Sequence, residues 1–165
     1  MVASFGRHTE GRDLMSCVLE AIGFETIVVG RDRTLQDAVD LCRDPDVTAL
    51  CVSVQTTFDC PEMYRTSRMM EKAGVRDRVV LNIGGSPINE VMAEAAGCDV
   101  FSHTASESAR MIAAEVLSRR GIGPRGQEIC HCFRLYVQYC TFAETMVPFL
   151  YSFSRIGLIW ARYSR

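Results

Sequence analysis

The chain has 165 residues and a formal net charge of −2, which is long enough for one domain with a substantial core. This near-neutral charge provides no basic footprint for nucleic acid. The N-terminus lacks the basic start and long apolar core of a secretory signal, and no apolar stretch is uninterrupted enough to predict a membrane span. The eight cysteines are therefore predicted to be reduced thiols in a cytoplasmic protein.

The composition changes near residue 121. Residues 1–120 carry a net charge of −5 and residues 121–165 a net charge of +3. The Gly-Ile-Gly-Pro-Arg-Gly segment at 121–126 is rich in helix breakers. We therefore predict one domain at 1–120 and a C-terminal appendage at 121–165. The role of the appendage is unknown, and an oligomer contact is one candidate. Its Cys-His-Cys segment at 130–132 does not have the ligand spacing of a structural zinc site.

Five short apolar runs alternate with five helical patterns in the first 120 residues. The helical patterns begin after plausible caps: Thr34 precedes the second, and the Thr-Ala-Ser-Glu segment at 104–107 is a capping box that opens the fifth. His103, just before that cap, is interpreted as structural. The runs predict strands at 2–5, 25–29, 47–52, 78–83 and 99–101, and the patterns predict helices at about 12–22, 35–42, 61–73, 89–96 and from 105 onward.

This alternation, with right-handed crossovers, predicts an α/β fold of three layers whose parallel sheet is covered on both faces. The expected class is flavodoxin-like (Rossmann-like), with five strands in the order 2-1-3-4-5. In that order the switch point lies between the first and third strands. The turns at 6–11, 53–59 and 84–89 would then open at the same edge of the sheet.

These three turns contain the residues that could bind a ligand. The first offers the imidazole of His8, and the second offers hydroxyl groups at Ser53 and Thr57. The third offers Gly84 and Gly85, where a ligand can approach the backbone closely. This set favours a large flat or elongated ligand, since the glycine patterns of phosphate-binding loops and dinucleotide sites are missing.

Each of these residues also has a purely structural interpretation. His8 could be an exposed loop histidine, and Ser53 and Thr57 could cap the third helix. Gly84 and Gly85 could form a tight strand-to-helix turn. The ligand hypothesis gains its weight from the register of all three turns rather than from any one of them.

The three turns together resemble the cobalamin-binding domain shared by methionine synthase, the corrinoid proteins of methyltransferase systems and the cobalamin-dependent mutases. That family has Asp-x-His-x-x-Gly, then Ser-x-Leu with a threonine shortly after, then Gly-Gly. This chain has Gly-Arg-His-Thr-Glu-Gly at 6–11, Ser-Val-Gln-Thr-Thr at 53–57 and Gly-Gly-Ser-Pro at 84–87. The resemblance covers about 2–118 and is closer to the corrinoid-protein and methionine synthase branch than to the mutases.

The resemblance implies that a cobalt corrinoid is the cofactor. His8 would coordinate cobalt from below, since neutral imidazole is a good ligand for such a metal. In this base-off form the displaced nucleotide arm would run into a slot beside the first strand. Ser53 and Thr57 would contact the arm or the histidine, and Gly84 and Gly85 would pack on the nucleotide. The implied cofactor-binding residues are Gly6, Arg7, His8, Thr9, Glu10, Gly11, Ser53, Gln55, Thr57, Gly84, Gly85 and Ser86.

The implied function is that of a methyl-group carrier that presents cobalamin to a partner methyltransferase, rather than that of a complete enzyme. Two alternatives stay open: a small cobalamin-binding subunit of an adenosylcobalamin-dependent mutase, and a cobalamin-free sensor or scaffold domain. The corrinoid-protein branch usually has a helical cap domain before this one, whereas here the first strand starts at residue 2. A stand-alone carrier, a small subunit and a piece of a longer chain are all compatible with this start.

Two positions depart from the family pattern. Gly6 replaces the aspartate that holds the other imidazole N–H and sets the orientation of the ring. We expect this replacement to weaken ligation by His8. Gln55 replaces the usual leucine and brings a larger polar group toward the slot.

Overall fold

A computed structural model describes residues 1–30 and 32–121. Strands and helices alternate along most of this part of the chain, as the sequence predicts. The appendage predicted at 121–165 lies outside the described residues except for Gly121, so its role and the domain boundary remain predictions. The elements are β1 (Val2–Phe5), α1 (Thr9–Ala21), β2 (Thr26–Val28), α2 (Leu35–Leu41), β3 (Ala49–Ser53), α3 (Cys60–Lys72), β4 (Val80–Gly84), α4 (Glu90–Ala95) and α5 (Ala105–Arg119).

The sheet is parallel and has four strands in the order β2-β1-β3-β4. This is the predicted order for the first four strands. The fifth strand predicted at 99–101 is wrong as a regular strand, because that segment forms one isolated parallel bridge between Asn82 and Val100. The predicted five-stranded sheet is therefore corrected to four strands and a bridge.

Side chains replace the missing ladder along the outer edge of β4. The Leu81 N–H donates to the carboxylate of Asp99 at 2.7 Å, and the Ile83 N–H donates to Cys98 Sγ at 3.1 Å. The Asn82 side-chain amide donates to the Val100 carbonyl at 2.8 Å. Because these side chains satisfy edge groups that a fifth strand would pair, the segment needs no regular ladder.

The starts of α2 and α5 follow the predicted capping. Thr34 forms a reciprocal capping box with Asp37, and Thr104 accepts a hydrogen bond from the Glu107 N–H. Helix α1 begins at Thr9, earlier than the predicted start near residue 12. The difference arises because Gly11, a poor helix former, lies within the first turn of α1 and packs there against the end of β3. Within the described residues no helix combines the length and apolarity that a bilayer crossing requires.

The two faces of the sheet bury different side chains. Because side chains alternate along a strand, large residues such as Phe5, Leu50 and Ile83 share one core with α2, α3 and α4. The other core, under α1 and α5, contains smaller strand residues such as Ala49 and Cys51. The face under α1 and α5 therefore leaves more space near the carboxyl ends of the strands.

Candidate functional site

A cleft lies at the carboxyl edge of the sheet, over β3 and β4 and between residues of α1 and α5. Its volume is about 270 Å³, close to the lower end of the range of roughly 300–1,000 Å³ that is typical of small-molecule sites. Its lining residues are Gly11, Leu14, Met15, Cys51, Val52, Ser53, Asn82, Gly84, Gly85, Ser86, Ile88, Phe101, Ser102, His103, Thr104, Ala105 and Ser108.

The depth of the cleft follows from the register of β3 and β4. Ser53 pairs with Gly84 at the mouth, and Cys51 pairs with Asn82 two residues further down. At ~3.3 Å per residue, the second pair lies about 7 Å below the first. Small side chains at these positions keep the sheet from filling the space. The cleft is therefore a slot with a defined mouth and floor.

The predicted imidazole lies in the first turn, at the start of α1. His8 is exposed and occupies the N-cap position with an extended backbone (φ −93°, ψ 139°), and its side chain makes no capping hydrogen bond. Ser53 packs between Gly6 and Gly11: a Cβ at Gly6 would lie 3.0 Å from Ser53 Cβ, and a Cβ at Gly11 would overlap the Ser53 hydroxyl. The two glycines thus let the turn that carries His8 rest directly on the mouth of the cleft.

Gly11 is the one predicted residue of the first turn that lines the cleft; Gly6, Arg7, His8, Thr9 and Glu10 do not. Arg7 Nη2 contacts Glu62 Oε1 at 2.8 Å, and Arg7 Nε lies 3.5 Å from Asp59 Oδ1. The hydrogen bond and charge of Glu62 raise the pKa of Arg7. Thr9 and Glu10 form the first turn of α1. These residues tie the His8 turn to α3 and to its own helix.

The second turn divides its predicted residues between the cleft and α3. Ser53 lines the cleft, and Gln55 Nε2 lies 3.3 Å from the position of a Cβ added at Gly11. Thr57 is exposed, and its carbonyl accepts the Cys60 N–H at 3.4 Å. Thr57 is not among the lining residues and lies just before α3 rather than in the cleft.

The third turn forms one wall of the cleft with Gly84, Gly85 and Ser86. Gly85 has φ +128°, and a Cβ there would overlap the Val54 carbonyl oxygen and lie 2.7 Å from its carbon. The Val54 N–H donates to the Gly84 carbonyl at 2.8 Å. A Cβ at Gly84, in contrast, would meet no atom within 4 Å. Gly85 therefore joins the second and third turns, while Gly84 faces open space.

Several lining residues were not among the predicted site residues. Cys51 and Asn82 form the floor, Phe101 and His103 lie on the α5 side, and Ser108 is a buried residue of α5. His103, interpreted as structural, packs edge-on against Phe101 with ring centroids 5.2 Å apart, and it also lines the cleft. A sequence signal existed for Asn82, which is a single polar residue inside the apolar Val-Leu-Asn-Ile run of β4.

The cleft is nearly uncharged. None of its lining residues is an aspartate, glutamate, lysine or arginine. Burial raises the pKa of the Cys51 thiol, so that this group stays neutral. Leu14 of α1, 56% exposed, and Met15 add apolar surface. The cleft is therefore suited to a neutral planar group held between apolar walls.

A doubly wound α/β domain with a cleft at its carboxyl edge is the class that this fold and site define. No known family profile matches the chain. Trimethylamine corrinoid protein 2 of Methanosarcina acetivorans is 26% identical over 113 residues, which cover 67% of this chain and 51% of that protein. Dimethylamine corrinoid protein 3 of the same organism is 27% identical over 61% of this chain and 47% of that protein. The chain spans about half the length of these curated relatives.

Two solved structures share the fold. A cobalamin-binding protein from Desulfitobacterium hafniense has a TM-score of 0.62 and 25% identity, over 68% of this chain and 56% of that one. The monomethylamine corrinoid protein of Methanosarcina barkeri has a TM-score of 0.61 and 24% identity, over 70% and 55%. The chain is thus a relative of the cobalamin-binding domain family on its corrinoid-protein side, and this confirms the resemblance carried by the three turns.

Proposed function

We propose that this chain binds a cobalt corrinoid in the base-off form and carries a methyl group for a partner methyltransferase. His8 would hold the cobalt through its imidazole, and the nucleotide arm would enter the cleft. The observation that carries this proposal is the meeting of Gly11, Ser53 and Gly84 around one cleft, at the edge where the His8 turn lies. The names of the relatives, which are corrinoid proteins for trimethylamine and dimethylamine, support the methyl-transfer role.

The cleft fits the arm of such a cofactor. Its volume of about 270 Å³ suits a planar base and a sugar but not a whole corrinoid, whose ring would lie outside the mouth beside His8. The apolar walls would contact the faces of the base, and the bare Gly84 backbone would pack on the nucleotide. When bound, the corrinoid supplies cobalt as the centre that accepts and gives up the methyl group.

The residues of the chain provide ligation and access. A neutral His8 would offer a ring nitrogen to cobalt. Ser53 crowds the position that an aspartate at residue 6 would occupy, because its Cβ lies 3.0 Å from the position of a Cβ at Gly6. We propose that His8 therefore ligates without the carboxylate support that is usual in the family, and less tightly for that reason.

Absorption spectroscopy of the purified chain with hydroxocobalamin and methylcobalamin tests this function. The wild-type chain is expected to shift the spectra to the base-off form. The His8→Ala variant is expected to bind at least ~10-fold less tightly, since loss of even a group that only supports a metal ligand costs ~10–100-fold, and added imidazole is expected to restore the wild-type spectrum. An unchanged spectrum and affinity in His8→Ala would contradict the role of His8.

The same titration separates the alternatives. A clear preference for adenosylcobalamin over methylcobalamin would favour the mutase subunit. Failure to bind any corrinoid would favour the cobalamin-free sensor or scaffold. Tight binding of methylcobalamin that needs His8 would support the carrier.

A further inference from the structure

Phe58 lies in the turn between β3 and α3 with its side chain in solvent. Its exposed fraction is 92%, the largest among the large hydrophobic residues in the described part of the chain. A phenyl ring in water contributes little to the stability of the folded domain, because its apolar surface is not removed from solvent. Single exposed hydrophobic residues are common, so the exposure alone assigns no function to Phe58. Its position on the molecule does.

The turn holds Phe58 firmly in place. The Thr56 hydroxyl donates to Asp59 Oδ2 at 2.7 Å, and the Asp59 N–H donates to the Thr56 carbonyl at 3.1 Å. The chain then continues directly into α3, where the Glu62 N–H donates to the Asp59 carbonyl at 3.1 Å. Because the bonds between Thr56 and Asp59 enclose Phe58, its backbone is fixed and its ring projects from an ordered turn.

The same turn is tied to the turn that carries His8. The two turns leave neighbouring strands, β1 and β3, at the same edge of the sheet. Arg7, next to His8, contacts Asp59, next to Phe58, with Nε and Oδ1 3.5 Å apart. Phe58 and His8 therefore flank one ion pair on the rim of the cleft.

A corrin ring bound through His8 would lie over this rim. The cleft volume of about 270 Å³ leaves the ring outside the mouth. The cleft opens on the side of the sheet covered by α1 and α5, whereas Phe58 precedes α3, which packs on the other face. A broad, flat macrocycle whose metal is bound at His8 would extend across the edge of the sheet toward Phe58. Its largely apolar lower side is a surface on which a phenyl ring can pack.

We propose that Phe58 binds the corrin ring by packing against its lower side, beside His8. This inference rests on the proposed function, because it requires His8 to hold the cobalt. It adds a contact that depends on the ring and not on the nucleotide arm. Removing most of a phenylalanine side chain from water raises affinity about tenfold or more.

The test compares the affinity of the full chain for hydroxocobalamin and for aquocobinamide, which has no nucleotide arm, by absorbance or calorimetric titration. Phe58→Ala removes the phenyl ring, and Phe58→Trp keeps an aromatic surface. Leu41→Ala is the matched control, because Leu41 is an exposed hydrophobic residue at the C-terminal end of α2, which returns the chain to the opposite edge of the sheet. Thermal unfolding of each variant monitors its folding.

Phe58→Ala is expected to lower the affinity for both corrinoids about tenfold and to leave the melting temperature unchanged, since the side chain it removes is in solvent. Phe58→Trp is expected to bind both corrinoids at least as tightly as the wild type, and Leu41→Ala is expected to match the wild type. A loss confined to cobalamin would overturn the inference, because it would place Phe58 against the nucleotide arm. Unchanged affinity of Phe58→Ala for both corrinoids would also overturn it, and would leave the exposed ring to a protein partner.

The outcomes separate this inference from the proposed function. If the wild-type chain binds neither cobalamin nor cobinamide, both proposals are overturned. If the wild-type chain binds both through His8 and Phe58→Ala binds them equally well, only the role of Phe58 is overturned.

Discussion

Gly85 allows the sharpest prediction about how the site is built. Its φ of +128° lies in a region that other residues rarely adopt, and an added Cβ would overlap the Val54 carbonyl oxygen. The backbone strain of Gly85→Ala costs about 1–3 kcal/mol. Moving Val54 away would also break its N–H bond to the Gly84 carbonyl, which contributes about 1 kcal/mol. We therefore expect a loss of about 3 kcal/mol, from a total stability of about 5–15 kcal/mol.

Gly84→Ala is the matched control, because a Cβ at that position meets no atom within 4 Å. Urea denaturation and thermal unfolding, both followed by circular dichroism, measure the free energy of unfolding and the melting temperature of both variants. Gly85→Ala is expected to lower the melting temperature by roughly 6–12 °C, at about 2–4 °C per kcal/mol for a chain of this size. Gly84→Ala is expected to change stability by less than ~0.5 kcal/mol but to weaken corrinoid binding, since its methyl group occupies the cleft. A Gly85→Ala variant as stable as the wild type would refute this reasoning.

Two further substitutions test the His8 turn and the outer edge of β4. Gly6→Asp is expected to cost about 1–2 kcal/mol of stability through crowding against Ser53. Adding Ser53→Gly is expected to recover part of that loss. Tighter corrinoid binding by Gly6→Asp without loss of stability would count against this prediction. Burial alone would raise the pKa of Asp99, but its hydrogen bonds with Arg76 and Leu81 hold it below its ordinary value. The stabilisation by Asp99 is therefore present above about pH 4 and is lost as the pH falls further. Asp99→Asn is expected to lower the free energy of unfolding by about 3 kcal/mol at pH 7 and to make stability depend less on pH below about pH 4. A loss of stability on acidification as steep as that of the wild type would contradict this prediction.

Strand alternation and turn chemistry were sufficient to predict most of the fold. The four strands in the order 2-1-3-4 and the capping by Thr34 and Thr104 depend on local patterns that the structure preserves. The loss of the fifth strand could not be predicted, because it depends on Asp99 and Cys98 bonding to β4 residues more than a dozen positions away. Such side-chain replacement of a ladder leaves no local pattern.

The candidate site was predictable at its mouth and not at its floor. Residue types and register indicated Ser53 and Gly84, which the structure brings to one cleft. The placement of Thr57 outside the cleft, on the loop before α3, depends on the shape of its turn and has no local signal. Asn82 was missed because a strand buried on both faces was treated as one apolar run. Assigning alternate residues of β4 to opposite faces of the sheet would have placed the Asn82 side chain on the face with the smaller residues.

The most direct test of the central claim is electron paramagnetic resonance of the cobalt(II) corrinoid bound to chain labelled with ¹⁵N-histidine. The account predicts that the superhyperfine splitting changes from the triplet of a ¹⁴N ligand to the doublet of a ¹⁵N ligand, and that unlabelled His8→Ala loses the histidine splitting. A triplet that persists in the labelled protein would show that the nitrogen on cobalt comes from the cofactor's own base, and would contradict the account.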